Sequence, residues 1–206
     1  MAFTLATVGG RITAVMYNEH ASGVRLYKAA TTTVMNAITD MAEGDLCLVA
    51  ADNITRRYTA GSWVRWSSPW IPFAPVLTSM AVGTGGGAFN VSEYKYTDGE
   101  YRQRGRIVFG STGATFPNAP DVGLPTGIVQ RAPLIANELL IGSVTLFDTG
   151  VAIARGYVGY PGTVTSRVRL LQNAATAGGT ATITTTSPWT WNAGDAIEYD
   201  FIGKMP

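Results

Sequence analysis

The sequence predicts an all-β chain: a small N-terminal helix plus a β meander, followed by a jelly-roll-like β sandwich. Three observations predict it. From Val24 onward apolar and polar residues alternate with a period of two. Clusters of Gly, Pro, Asn and Asp part the apolar runs at roughly the spacing of sandwich strands. After residue 75 no stretch carries a helical period of useful length.

In chain order, residues 10–22 carry the helix signal: Gly9-Gly10 breaks what precedes, Thr13 is placed to cap, and Ser22-Gly23 stops the segment. Val24, Leu26 and Lys28 then alternate with Arg25 and Tyr27, and Thr31-Thr32-Thr33-Val34 reads as strand or extended chain. Gly44-Asp45 turns into the strand Leu46-Cys47-Leu48-Val49-Ala50. Asp52-Asn53 makes a hairpin with residues 55–59, and Ala60-Gly61 leads into Ser62-Trp63-Val64-Arg65-Trp66. Pro69, Pro72 and Pro75 follow closely; proline lacks a ladder donor and extends its neighbour. The expected division is therefore a module at 1–70, a linker at 71–75 and a domain at 76–206. Strands are expected there at 78–83, 87–92, 93–98, 101–110, 139–148, 150–158, 164–172, 180–186 and 195–202, with a long ordered loop at 111–138.

One signal occurs twice. Gly44-Asp45, an alternating strand and Ser68-Pro69-Trp70 mark the first copy; Ser187-Pro188-Trp189 and Gly194-Asp195 with its strand mark the second. Charged residues are 14% of the chain, against about 25% in typical soluble domains. A surface of Thr, Ser, Asn and Gly suits burial in an assembly, and secreted β proteins share it. A net charge of +1 gives no electrostatic case for nucleic acid or an anionic membrane. Cys47, the single cysteine, reads as a buried inert thiol. The first residues lack a basic, apolar signal pattern, and no run approaches the roughly 20 apolar residues of a membrane helix. The expectation is a cytoplasmically made protein with no membrane insertion.

No motif points to catalysis or a cofactor. Gly83-Thr84-Gly85-Gly86-Gly87 lacks the Gly-Lys-Ser/Thr ending of a phosphate loop and reads as a hairpin or bulge. Leu124-Pro125-Thr126-Gly127 falls one residue short of a sortase signal. His20 is the only histidine and stands outside the main domain; with one cysteine it excludes the usual zinc sites. Asp98 with Glu100, or Asp195 with Glu198, are pairs a glycosidase would need, but they sit in ordinary turn sequences. Asp195 and Asp200 are oxygen donors of the type calcium takes, at an unspecific spacing. Trp63, Trp66, Trp70, Tyr157, Tyr160, Trp189 and Trp191 form either a platform for sugar rings or, more commonly for alternating tryptophans, core and subunit-interface packing.

The segment from Glu93 to Phe109, Leu124-Pro125, Ile141-Gly142-Ser143-Val144-Thr145-Leu146-Phe147-Asp148 and the closing Pro188-Trp189-Thr190-Trp191-Asn192-Ala193-Gly194-Asp195-Ala196-Ile197 together resemble the C-terminal β domains of tail proteins of tailed bacteriophages, especially those of actinobacteria. Ile12, Met16 and Asn18 resemble the attachment helix of phage fibre heads. The resemblance spans about residues 10 to 202 and implies a virion protein, a homotrimer with other virion proteins as partners and no catalytic residues. The expected function is a minor tail or receptor-binding protein, attached by residues 1–70 and presenting residues 76–206 to a host-surface glycan. A capsid-decoration protein and a cell-wall carbohydrate-active enzyme are the alternatives.

Overall fold

The computed structural model describes residues 5–8, 11–17, 24–98, 100–129, 140–150, 152–161, 164, 166–174 and 179–203. The chain divides into two units. The first takes Met1–Trp70 and Lys95–Glu100; the second takes Ile71–Tyr94 and Tyr101–Pro206.

The first unit is one six-stranded sheet whose strands lie in chain order: β1 (Leu5–Val8), β2 (Arg11–Tyr17), β3 (Leu26–Ala29), β4 (Leu46–Val49), β5 (Ile54–Thr59) and β6 (Ser62–Ser67). Its pairings are antiparallel except β3 with β4, which run parallel. Parallel neighbours need a crossover, and the helix α1 (Thr32–Asn36) lies in it. Tyr27, Ala29, Met35, Cys47 and Val49 form the core, with Val34, Ile38 and Trp63 packed on it.

Two expectations fail in this unit. Residues 11–17 are strand, not helix. Ile12, Thr13 and Val15 are β-branched and lose side-chain freedom in a helix, and Ile12, Ala14 and Met16 also alternate with Thr13, Val15 and Tyr17. The ladder to β1 on one side and β3 on the other takes the backbone donors and acceptors. The supposed attachment helix is thus a central strand; Asn18 and His20 lie outside the described residues. The second correction concerns residues 31–34, which were expected to be extended. Thr31 caps a short helix instead, its hydroxyl accepting from the Val34 N–H at 3.3 Å, and Met35 anchors the turn at 2% exposure.

The second unit holds ten strands: β7 (Ile71–Phe73), β8 (Leu77–Thr78), β9 (Phe89–Thr97), β10 (Glu100–Val108), β11 (Asp121–Gly123), β12 (Leu140–Phe147), β13 (Ile153–Gly159), β14 (Arg167–Asn173), β15 (Thr180–Thr182) and β16 (Ala196–Gly203). Hydrogen bonds join them in the order β7-β9-β10-β16-β12-β13-β14-β11-β8, with β15 paired to β14. Twist accumulates over so many strands, and the sheet curls to enclose one face. Tyr101, Ile107, Val144, Leu146, Leu170 and Phe201 on that face are 1% exposed or less. The chain is all-β, with a sandwich-like core.

Three further differences appear here. Residues 71–73, within the expected linker, are edge strand β7 on β9, and Pro72 is tolerated because an edge strand has one side free of ladder bonds. The two short strands expected at 87–92 and 93–98 are the single strand β9. Within the expected loop at 111–138, β11 pairs with β14 and β8, and Asp121, 1% exposed, takes a bidentate pair from Arg169 at 2.7 and 3.1 Å.

The two Gly-Asp turns are built alike. In the first, the Ala42 N–H donates to Asp45 Oδ2 at 2.8 Å and the Asp45 N–H donates to the Ala42 carbonyl at 3.0 Å. In the second, the Asn192 N–H donates to Asp195 Oδ2 at 2.7 Å and the Asp195 N–H to the Asn192 carbonyl at 3.2 Å. Gly44 and Gly194 sit at φ of 92° and 90°, where a side chain is strained. Each aspartate's other oxygen takes the backbone N–H of a distant residue, Arg25 at 3.0 Å or Thr149 at 2.9 Å. Both aspartates are fully buried. Burial pushes the Asp45 carboxyl up, but the Ala42 and Arg25 N–H groups and the Arg25 guanidinium outweigh it and hold it below its ordinary value.

Candidate functional site

In the second unit the sheet face opposite the core carries a groove of about 550 Å³ over β9, β10, β16 and β12. The register builds it. Arg104 stands opposite Asp200 and Arg106 opposite Glu198 on β10 and β16; Asp200 and Glu198 stand opposite Ser143 and Thr145 on β12. Side chains alternate along a strand, so these residues share one face while Gln103, Gly105 and Tyr199 point to the other.

Three ion pairs lie on this face, and Arg155 stands on it opposite Thr145. Arg102 makes a two-pronged contact with Asp200 at 3.0 and 2.6 Å, Arg104 pairs with Glu93, and Arg106 reaches Glu198 at 3.2 Å. Each side chain is between a third and a half exposed, so each pair contributes at most about 1 kcal/mol to stability. The hydrogen bond to Asp200 raises the Arg102 guanidinium above its ordinary value. Val91, 56% exposed, and Pro72 supply apolar wall, and the Phe89 ring lies 6.0 Å from the Arg106 guanidinium.

Below the ladder, the sheet is thin at Gly105. A methyl group there would run into the Ser92 and Tyr199 hydroxyls. Those hydroxyls lie 2.5 Å apart, Gln103 donates to Tyr199 at 3.3 Å, and Tyr101 donates to Gln103. Burial pushes the Tyr199 hydroxyl up against the opposing effect of those hydrogen bonds. This buried polar network fixes the floor.

The aromatic residues singled out in the sequence are divided between the two units. In the first unit Trp63 packs edge-on to Tyr27 and Tyr58, Trp66 lies 4.8 Å under the Arg57 guanidinium, and Trp70 lies 4.9 Å from the Lys95 ammonium. In the second, Trp191 is 2% exposed, donates to the Thr184 carbonyl at 3.0 Å and packs on Phe109 and Trp189. Tyr160 is half-buried. Tyr157 alone shares the groove's face, opposite Ser143 in the ladder, and is 37% exposed. Ile12 and Met16 lie in β2. Asp195 and Asp200 are drawn to different partners and lie about 16 Å apart, at roughly 3.3 Å per extended residue. Among the described residues no three His, Cys, Asp or Glu side chains group to hold a metal ion.

The groove itself was missed by sequence reasoning. Its signal was the row Arg102-x-Arg104-x-Arg106, matched by Glu198-x-Asp200 at the same period, each interleaved with residues that turn inward. No protein-family model, curated protein or solved structure matches the chain.

Proposed function

We propose that the chain is a structural protein of a tailed-phage virion, a minor tail or receptor-binding component that works as a homotrimer. The first unit attaches it to the particle, and the second turns its grooved sheet face to a host-surface glycan. The groove carries this reading: paired charges and apolar walls occupy a sheet face that the core does not use. The low charge of the chain and the resemblance of its strand motifs to phage tail proteins support it. Cryo-electron microscopy of the phage particle tests it; density for this chain at the tail tip is the expected result, and absence from the particle defeats the proposal. Light scattering at micromolar concentration should give a trimer mass.

One observation favours a capsid-decoration role as the second reading. Ile153 and Ile202, on the groove's face, are 66% and 46% exposed, and a neighbouring shell protein would cover them. Density on the capsid rather than the tail selects it.

A further inference from the structure

We infer that the strip of β13 and β14 beside the groove binds a linear polysaccharide that carries carboxylates; this deepens, and rests on, the receptor-binding reading above. The register lays the strip out. Tyr157 stands opposite Leu171 and Gly159 opposite Arg169, so Arg155, Tyr157, Arg169 and Arg167 follow one another along the sheet face opposite the core. At about 3.3 Å per residue the line runs about 20 Å. Among the described residues of β11, β13 and β14, three guanidiniums on this face meet one carboxylate, that of Asp121, which leaves two positive charges in surplus. The negative charge is also the hidden one. The Asp121 side chain is 2% exposed, beneath Arg167 and Arg169 at 38% and 34%. Arg169 spends Nε and Nη2 on Asp121 at 2.7 and 3.1 Å; a guanidinium has five N–H donors, so Nη1 stays free for a ligand. Arg167 meets the same carboxylate through Nε alone, at 3.1 Å. Arg155 is exposed, and its guanidinium has no ion-pair partner among the described residues. The groove's Glu198 and Asp200 lie on β16, two strands from β13 at about 5 Å each, and each holds an arginine of β10.

The layout selects the ligand. Two-pronged pairing with a planar carboxylate is the geometry that Arg169 already makes with Asp121, and a guanidinium fork fits a second carboxylate in the same way. The charges are sparse. Arg155 and Arg169 are separated by about 13 Å of strand, and Arg167 lies about 7 Å further on. Duplex DNA carries one charge per about 1.7 Å of its length, so three arginines spread over about 20 Å leave most of its charge unmet. A sugar chain with a carboxylate on some of its rings is matched instead, because its charges are single and spaced. Between the charges the strip offers what a pyranose needs. Tyr157, 37% exposed, with half-buried Leu171 beside it, gives an aromatic and apolar step for the C–H face of a ring. Gly159, opposite Arg169, has no side chain to block the next ring. On the neighbouring strand Ser143 stands opposite Tyr157 and Thr145 opposite Arg155, and their hydroxyls donate or accept along the rim of the sugar.

The test measures binding of the full chain to immobilised polygalacturonate, neutral galactomannan, polyphosphate and duplex DNA. Binding to polygalacturonate is expected, and it should weaken as salt rises to about 1 M, where charges are screened beyond about 3 Å. Arg155→Gln removes a charge that has no partner, and Arg167→Gln leaves Arg169 on Asp121. Each should weaken binding about fivefold or more while the melting temperature stays near that of the parent chain. Lys28→Gln removes an exposed charge from the first unit and should leave binding unchanged, which separates this strip from an effect of net charge. No binding to polygalacturonate, equal binding by Arg155→Gln, or an equal loss in Lys28→Gln overturns the inference. So does equal binding to galactomannan, or tighter binding to polyphosphate or DNA. A changed sedimentation mass in Arg155→Gln also overturns it, by making the strip a subunit contact. Failure on polygalacturonate with the chain seen at the tail tip sinks this inference alone; absence from the particle sinks the receptor-binding reading whatever the binding shows.

Discussion

At the scale of single residues, the aspartates of the two Gly-Asp turns are fully buried and held by hydrogen bonds from backbone N–H groups. Asp195 takes the Asn192 and Thr149 N–H groups and the Thr149 hydroxyl. Asp195→Ala leaves two backbone donors without a partner in a dry site, at about 1–3 kcal/mol each. Denaturant unfolding of this variant should show a loss of about 2 kcal/mol or more. Asp45 adds a pH dependence. Its folded carboxyl lies below the ordinary 3.8, so its contribution is complete above that value and is lost as pH falls through the lower folded value. The parent chain should lose thermal stability in that acid range, and Asp45→Asn, which cannot ionise, should show a flatter profile. Gly-Asp was legible in the sequence as a turn. That both carboxylates are buried was not, because their third partners, Arg25 and Thr149, stand 20 and 46 residues away.

Among elements, legibility followed how local the deciding interaction is. The hairpin β5–β6 is set by Ala60-Gly61 between alternating runs, and the sequence showed it. Residues 11–17 hold both a cap-like threonine and β-branched residues, and only pairing with β1 and β3 decides for strand. Thr31 looks like one more strand threonine until Met35 finds the core. The groove needs the relative register of β10 and β16, whose partners are nearly 100 residues apart, so the alternating charges of each strand do not by themselves show that they stand opposite one another. Cys47 on β4 gives an element-scale test. Its side chain is fully buried, and burial pushes the thiol up to about 11. It should resist a thiol reagent near pH 8 until the first unit unfolds, when one thiol per chain becomes reactive. Because its folded value is raised, its stabilising contribution is complete below the ordinary 9.0 and is lost as pH rises toward about 11. The melting temperature should therefore fall across that alkaline interval, and the fall should be smaller in Cys47→Ala.

At the scale of the whole molecule, the proline-rich stretch separates the units less simply than its composition suggests. Pro69 precedes the boundary, whereas Pro72 lies in a strand of the second unit. A fragment of residues 76–206 lacks β7 and bares the hydrogen-bonding edge of β9. A fragment of 71–206 keeps it, and should melt higher and aggregate less in a side-by-side thermal scan. Equal melting curves would show that β7 contributes nothing to the second unit. The first unit is incomplete in residues 1–70 alone. It includes Lys95–Glu100 from the turn of β9 into β10, where Tyr96, 1% exposed, donates its N–H to the Ser68 hydroxyl at 3.0 Å and accepts from the Ser68 N–H at 3.1 Å.

That borrowed hairpin tip bears on how such a gene is able to change. A recombination crossover at the codon for residue 70 would join a new second unit to the old first one, yet the old unit would lose Lys95–Glu100 with the discarded segment. The incoming sequence would have to bring a matching Tyr96 at its own hairpin tip. Exchange of the two units by a single crossover is therefore restricted to donors that share this loop. Changes on the groove's outer face, at Val91, Arg104 or Ser143, meet no such restriction and can drift one codon at a time.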